Sequence, residues 1–592
     1  PIFLPLPEPA MPLSQKRLLF NETHTASANR LYRLDEEKQL RFQLGYIHDR
    51  TTRQYGSEEI YYFAQDTVHT ATNRHDRLKT DCLNAEVNYE DNTVSRYTRE
   101  NFSFAGTWKS GVSDITGDNA IFQKIKNSQW ELKNYFNQLY TKEKYTWGIR
   151  SYIRYTHCPA SLTVAHRNLP ILFADNMLIA NCIYHRNELS SSDNISENTY
   201  RTVIGQTHES ILAEYEEMNT GNAYTDNALY GMRKINGVNY QLTGGFCGEL
   251  SSVKQENAYS AHSYSFYTVP RIEWERNDFL FTAATTVRWS HLPKQSYSRF
   301  CVSPFFCFRY KFTPRWKMSL LGSLDESEGG LKDIYPFRYR EDYRTVVKHT
   351  GKVPVTVRQL YTCYLEYKNT IKEFFWTLSA SYSHNRYNLI TERNYKDGNF
   401  YLSSVERNHS SHSYTLNTIG SKGIYDWNLK TSLELTLARN EGKQLNEGIV
   451  QDYRYDYLCV EPKIVWAPSV FFEAEYKATV SCVGGGIGED TSLDPLWEVA
   501  QRLTLSLEFH DTEFRLSGEH FYNDLSKNQH LNTWLADVSL IHKAGKWRFA
   551  ASAINLFNKE QYRYTLYSAV QSYTSWIKLR PREFMVSVQY QW

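Results

Sequence analysis

The sequence predicts an all-β transmembrane barrel of antiparallel strands. Three observations predict it: apolar and polar side chains alternate through nearly all 592 residues, aromatic residues reach 15% while mean hydropathy is only −0.58, and short polar connections alternate with long ones. A barrel strand is apolar only at every second residue, so its average hydropathy reads as water-soluble.

The alternation is regular. Trp427, Leu429, Leu433, Leu435 and Leu437 share one face, and Asn428, Lys430, Ser432, Glu434 and Thr436 take the other. Phe472, Ala474, Tyr476, Ala478 and Val480 oppose Glu473, Glu475, Lys477 and Thr479, and Leu503 to Phe509 reads the same way against Arg502 to Glu508. Soluble strands average about 5–6 residues. Many of these runs continue for about 10, the length a tilted strand needs to cross a bilayer. A helical span would need roughly 20 mainly apolar residues. The best apolar stretch, Leu169 to Ala180, is shorter and contains Asp175 and Asn176.

The connections sharpen the prediction. About eleven are short and rich in Gly, Pro, Asn and Asp, among them Asp35 to Lys38, Lys234 to Gly237, Thr313 to Arg315 and Lys543 to Lys546. Those between them are longer: Pro159 to Ala223, Asp325 to Pro354, Asn385 to Ser410 and Asn558 to Pro581. Short turns on one rim and long loops on the other are the periplasmic and extracellular ends of an outer-membrane barrel. Trp274, Trp316, Trp376, Trp427, Trp466 and Trp547 lie beside short turns, where indole rings would sit at headgroup level. The hairpins predict about 22 strands, with 24 as the alternative, because the turns plus the last run give an odd number. Residues 1–26 read as an N-terminal segment leading into a barrel over 27–592.

Composition excludes several functions. Net charge is +2, from 67 Lys and Arg against 65 Asp and Glu, and no basic patch suggests a nucleic-acid partner. The nine cysteines are irregularly spaced with no CxxC pair, which fits wall residues rather than a metal site or disulfide framework. Neither a phosphate-binding loop nor a metalloprotease or serine-hydrolase motif is present. No enzyme, metal site or cofactor is expected. His409 and His412 are expected to be solvent-exposed in a loop.

At the C-terminus, Phe584, Val586, Val588, Tyr590 and Trp592 share one face, and the last residue is aromatic. This looks like the signal by which barrel-assembly machinery recognises its clients. Upstream stand Asn555, Leu556, Phe557 and Asn558, then a loop, then Pro581 and Arg582 before Phe584. This pair of elements resembles the last hairpin of TonB-dependent receptors. Lys16 to Asn21, Ser151 to Thr156 and Tyr224 to Asn227 are similar to stretches of the plug-plus-barrel receptors of Bacteroidota. The resemblance implies a 22-strand barrel in a Gram-negative outer membrane, with a plug domain on which TonB pulls to admit a nutrient. No plug or TonB box is seen before the first strands, so both are expected to lie outside this sequence. Outer-membrane lipid and lipopolysaccharide are expected partners, with surface lipoproteins or other barrel subunits as further ones. The alternative to transport is a structural or assembly subunit of a larger outer-membrane complex.

One long connection carries a candidate ligand or partner surface. Tyr335, Phe337, Tyr339 and Tyr343 are interleaved with Arg338, Arg340 and Arg344. Aromatic faces bind sugars and peptides, and Arg forks onto carboxylates.

Overall fold

The computed structural model describes residues 13, 17–18, 20–62, 67–117, 120–143, 145–166, 199–203, 210–488, 491–526, 529–567 and 571–590. Its strands join in one 28-stranded sheet. In chain order they are β1 Phe20–Arg33, β2 Lys38–Tyr62, β3 Thr67–Asn92, β4 Arg96–Gly117, β5 Ile121–Lys142, β6 Tyr145–His166, β7 Thr199–Val203, β8 Ser210–Ile235, β9 Val238–Lys254 and β10 Ala258–Arg276. There follow β11 Phe279–Leu292, β12 Tyr297–Lys311, β13 Trp316–Glu328, β14 Tyr339–Arg340, β15 Thr345–Lys348, β16 Val355–Asn369, β17 Phe374–Lys396, β18 Asn399–Ile424, β19 Leu429–Asn446 and β20 Ile449–Ser469. The last are β21 Phe472–Ile487, β22 Thr491–Phe509, β23 Thr512–Ser526, β24 Gln529–Ala544, β25 Trp547–Ile554, β26 Gln561–Tyr567, β27 Gln571–Lys578 and β28 Glu583–Tyr590. The first strand thus starts ahead of residue 27.

Five of the 28, namely β7, β14, β15, β26 and β27, belong to the long connections. The other 23 form the wall, each antiparallel to its neighbours. Among the described residues β1 pairs only with β2, and β28 only with β25. Both run toward the rim of short turns, so these two margins of the wall have the same polarity.

Alternation decides which side chains face lipid. In β19 the register places Leu433 and Leu437 outward, with Lys430 and Glu434 toward the lumen, as their spacing predicts. Two aromatic belts bound the outward apolar surface. Near the short turns stand Trp147, Trp274, Trp316, Trp376, Trp427, Trp466 and Trp547, all exposed except the half-buried Trp376. Roughly ten residues farther along, the distance a tilted strand takes to cross hydrocarbon, a second belt appears. Its members are Trp108, Trp130, Trp289, Trp497 and Trp534. Histidine rings pack against this belt: His157 lies 5.4 Å from Trp130, His291 5.6 Å from Trp289 and His520 4.2 Å from Trp534, measured between ring centroids, with only the His291 pair stacked face to face. His520 is hydrogen-bonded within the wall through both ring nitrogens, to Gln501 and Asn532, and His291 Nδ1 to Ser298, and amphipathic rings of this kind suit a membrane–water interface. No helix among the described residues is long and apolar enough to cross a membrane.

Two expectations are corrected here. The connections read as Pro159 to Ala223 and Asn385 to Ser410 contain long stretches of strand among the described residues: β6 runs to His166, β8 starts at Ser210, and β17 and β18 continue to a two-residue turn at Asp397-Gly398. Both turn residues have positive φ, 51° and 77°, which suits the twist of a tight hairpin. Above the membrane both sheet faces are wet, so the apolar beat fades although the ladder continues. Consequently His409 and His412 are not in a loop. They are half-buried in β18, where His409 stacks on Tyr387 at 4.8 Å and His412 on His384 at 4.6 Å. The described wall has 23 strands, the odd number that the turns and the last run give. The eight described cysteines are all unpaired, and Cys182 lies outside the described residues.

Candidate functional site

The connection from β13 to β16 turns inward and spans the extracellular mouth. Its neck is closed where Gly329 N–H donates to the Pro354 carbonyl at 2.8 Å. A short helix, Leu331–Ile334, comes first. Then β14 and β15 form a small hairpin, and β15 lies parallel to residues 400–403 of β18. Ile334, Tyr335, Tyr339, Tyr343, Val347 and Val353 join one apolar cluster with Ile115, Ile121, Leu162, Val164, Met218 and Val253 from the walls. This burial removes ring and aliphatic surface from water, and it holds the connection down.

Polar anchors fix it to widely separated parts of the ring. The Tyr335 hydroxyl donates to Gln255 at 2.8 Å, and its ring meets Tyr259 edge-on at 5.7 Å. Arg340 pairs with Glu214 at 2.5 Å, and its backbone N–H donates to Glu216 at 2.8 Å, both on β8. The same guanidinium donates to the Tyr343 carbonyl at 3.0 Å and to Asn399 at 3.1 Å. The Tyr343 N–H donates to Gln123 of β5 at 3.2 Å. Arg344 reaches β2 and β3, donating to Glu59 at 2.6 Å, Tyr61 at 3.0 Å and Thr70 at 3.1 Å. The Arg74 guanidinium lies 4.8 Å over the Tyr343 ring. Arg suits these positions because one planar fork can serve several acceptors and lie against rings.

Glu216 stands in the extracellular extension of β8, far above the lipid-facing band. Burial raises its carboxyl to about 7, against the opposing pull of the Arg340 N–H and guanidinium, with Glu214 adding repulsion. Burial likewise lowers the imidazole of His349, at the end of the same connection. Among the described residues no group of three His, Cys, Asp or Glu is placed to hold a metal ion.

The seven residues singled out from the sequence therefore have different positions. Tyr335, Tyr339, Arg340 and Tyr343 are buried, and Arg344 nearly so. Only Phe337 and Arg338 face solvent, with Arg338 5.3 Å over the Tyr401 ring. Most of the aromatic and Arg surface is spent on the barrel's own walls. Sequence reasoning missed Glu59, Gln123, Glu214 and Glu216, because their strands are separated from this segment by more than 100 residues each.

The last-hairpin motif forms a second cluster. Asn555 is buried at φ 54°, a left-handed conformation that Asn tolerates better than most residues. Its side chain donates to the carbonyls of Lys559 and Arg580 at 2.9 and 2.8 Å and accepts the Lys559 N–H at 3.0 Å. Leu556 N–H donates to Ala536, and Asn558 accepts the Arg582 N–H at 2.9 Å, beside the exposed Phe557 and Pro581. Asp537 accepts the Asn555 N–H and, through both oxygens, the guanidinium of Arg17, which also donates to Glu519 at 2.8 Å. Arg17 lies in the stretch resembling receptors, although neither its depth nor its partners was legible. Above this cluster β27 pairs with β2, so the hairpin of β26 and β27 continues the rim beyond the end of β1. In β28, Phe584, Val586, Val588 and Tyr590 all face outward and are exposed. Trp592 lies outside the described residues.

No family model matches the chain, and no curated protein matches it in sequence. Solved structures do. The outer-membrane transporter YddB from Escherichia coli is similar over 97% of this chain and 76% of its own, at 10% identity and TM-score 0.50. The ferric yersiniabactin uptake receptor FyuA from Yersinia pestis aligns over 96% of this chain and 80% of its own, at 9% identity and TM-score 0.41. The fold is that of an outer-membrane β-barrel.

Proposed function

We propose that this chain is the barrel of an outer-membrane transporter of the TonB-dependent-receptor type, importing a nutrient such as a glycan, a peptide or a metal chelate. The observation that carries this reading is the width of the ring. Barrels of 16–18 strands are open pores, whereas those with about 22 need an internal obstruction. Here the 23 described wall strands enclose a lumen lined by Lys430, Glu434, Glu473, Lys477 and Arg502. The likeness to YddB supports the same reading through the fold. In it, ligand is met at the outer mouth, near Phe337 and Arg338, a plug carries the TonB contact, and the exposed alternate residues of β28 address the barrel-assembly machinery in a Gram-negative envelope. It is not an enzyme on this reading.

A scaffold role in a complex with lipoproteins or other barrels is the second reading, favoured by the density of buried bonds that immobilise the connection from β13 to β16. The test is uptake. A deletion strain should lose accumulation of one labelled nutrient from a glycan, peptide and metal-chelate panel, and removing TonB should abolish accumulation in the parent. Unchanged uptake of the whole panel, with stable co-purification of other envelope proteins, would overturn transport in favour of the scaffold.

A further inference from the structure

One sector of the wall has an outward face that does not suit acyl chains. On β5, Asn134 stands between Tyr140, which stacks on Trp147 near the short turns, and Trp130 of the upper belt. On the neighbouring β6, Ser151 stands between Trp147 and His157. The register extends this face to both sides. Glu100 of β4 lies opposite Phe136, Asn227 of β8 opposite Ser151, and Thr225 opposite Ile153. All of them alternate in step with Phe102, Ile153 and Leu229, which are exposed on the outer surface. Across the ring, β19 presents Leu433, Leu435 and Leu437 to the same band.

These polar side chains satisfy one another only in part. Asn134 Nδ2 donates to Glu100 at 3.1 Å. The Ser151 hydroxyl donates to Asn227 Oδ1 at 2.7 Å, and Asn227 Nδ2 donates to the Thr225 hydroxyl at 2.8 Å. Among the described residues they make no other side-chain hydrogen bond. Open donors remain on Asn134, Asn227 and Thr225, and open acceptors on Asn134, Glu100 and Ser151. Glu100 has no ion pair among the described residues, and Arg96, the outward cation of the same strand, stands at the turn end and is held by Asp91. Hydrocarbon offers nothing to either set, so each open group that faced it would keep its cost of desolvation.

Two features point to what covers this face. Donors and acceptors remain side by side on amides and hydroxyls, so the surface complements itself. Asn134, Ser151 and Asn227 also share one depth in the band. A second copy inserted the same way up, and turned about an axis along the membrane normal, brings the same row to that depth facing the first. Two convex walls touch along a narrow strip, and a polar strip on β4, β5, β6 and β8 has that shape.

We propose that this strip is the contact between two copies of the chain within the membrane. Across a twofold axis between β5 and β6, Asn134 of each copy faces Ser151 of the other. The side that carries Glu100 meets the side that carries Asn227. The inference concerns self-association, and it rests on neither the transport nor the scaffold reading, because the strip lies on the opposite face of the sheet from the lumen.

The experiment uses the full chain in intact outer membranes, with a photoreactive benzophenone side chain placed either at Ile153 or, across the ring, at Leu433. Irradiation should give a product of twice the chain's mass from Ile153 and not from Leu433. The variant Glu100→Leu/Asn134→Leu/Ser151→Ala/Asn227→Leu gives this sector the character of the other walls, and it should lower the Ile153 product about tenfold or more. Heat-modifiable mobility on a gel establishes that the variant barrel is folded. A second variant, Ser151→Trp, puts bulk at the axis and should reduce the product with both amides intact. An undiminished product in the folded variants would overturn the proposal. So would equal yields from Ile153 and Leu433, no product from Ile153, or a product whose mass shows a different envelope protein.

Discussion

Arg344 and Glu59 are 285 residues apart in sequence, and their side chains meet at 2.6 Å with little exposure to solvent. Removing one member of a buried pair leaves a charge without compensation and costs about 3–5 kcal/mol, whereas losing both costs less. Arg344→Ala should therefore undock the connection between β13 and β16. Limited proteolysis of the detergent-solubilised protein should show faster cleavage within residues 329–354. Arg344→Ala combined with Glu59→Gln should be cut more slowly than the single variant, and equal rates would contradict this anchor.

Docking of the same connection should depend on pH through Glu216. A carboxyl whose pKa is raised on folding favours the protonated form, so its contribution is complete below the ordinary value near 4.5. That contribution is lost as pH rises through about 7. Protection of residues 339–347 from hydrogen exchange, corrected for intrinsic rates, should fall between pH 5 and pH 8, and Glu216→Gln should flatten that fall. His349 acts with the opposite sign: burial depresses its pKa, so its contribution is lost as pH falls.

Asn555 satisfies three backbone groups at a position with φ 54°. Asn555→Ala leaves those groups without partners in a buried site, at about 1–3 kcal/mol each where water cannot replace the bond. The folded fraction of refolded barrel, read from heat-modifiable mobility, should drop clearly. A similar change at the exposed neighbour Phe557 should have little effect.

Adjacent residues of β19 provide a test of membrane orientation. Leu433 faces outward near mid-band, and Ser432 faces the lumen. Leu433→Arg should cost about 2–4 kcal/mol of stability in vesicles, while Ser432→Arg should stay within about 1 kcal/mol of the parent, as substitutions at wet positions usually do. Urea titration of vesicle-inserted protein would measure both.

The membrane-embedded part of this fold was largely legible. Leu433, Leu437 and their polar alternates in β19 identify a strand because lipid on one side and water on the other impose a period of two. Where water lies on both sides, that contrast disappears, and β17 and β18 looked like loop from Asn385 to Ser410. One signal remained in the sequence: Asp397-Gly398, the dipeptide most suited to a tight hairpin. The candidate loop was found by composition, but composition does not tell whether Tyr339 and Arg340 point outward or inward. Their direction is set by Glu214 and Glu216 on a distant strand, and Arg17 depends likewise on Glu519 and Asp537.

The shared polarity of β1 and β28 has a geometric corollary. Consecutive wall strands alternate in direction, so these two margins could bond to each other only in a parallel ladder, a pattern that among the described wall strands appears only where Glu392 and Arg393 of β17 meet Leu445 and Asn446 of β19. Any segment seated between them in the prevailing pattern would have to ascend from the turn side to the mouth, and a single one would bring the circumference to an even number. Within hydrocarbon, any amide left unmatched along those margins would carry the full cost of desolvation, which makes this seam the place where the cylinder's integrity is decided.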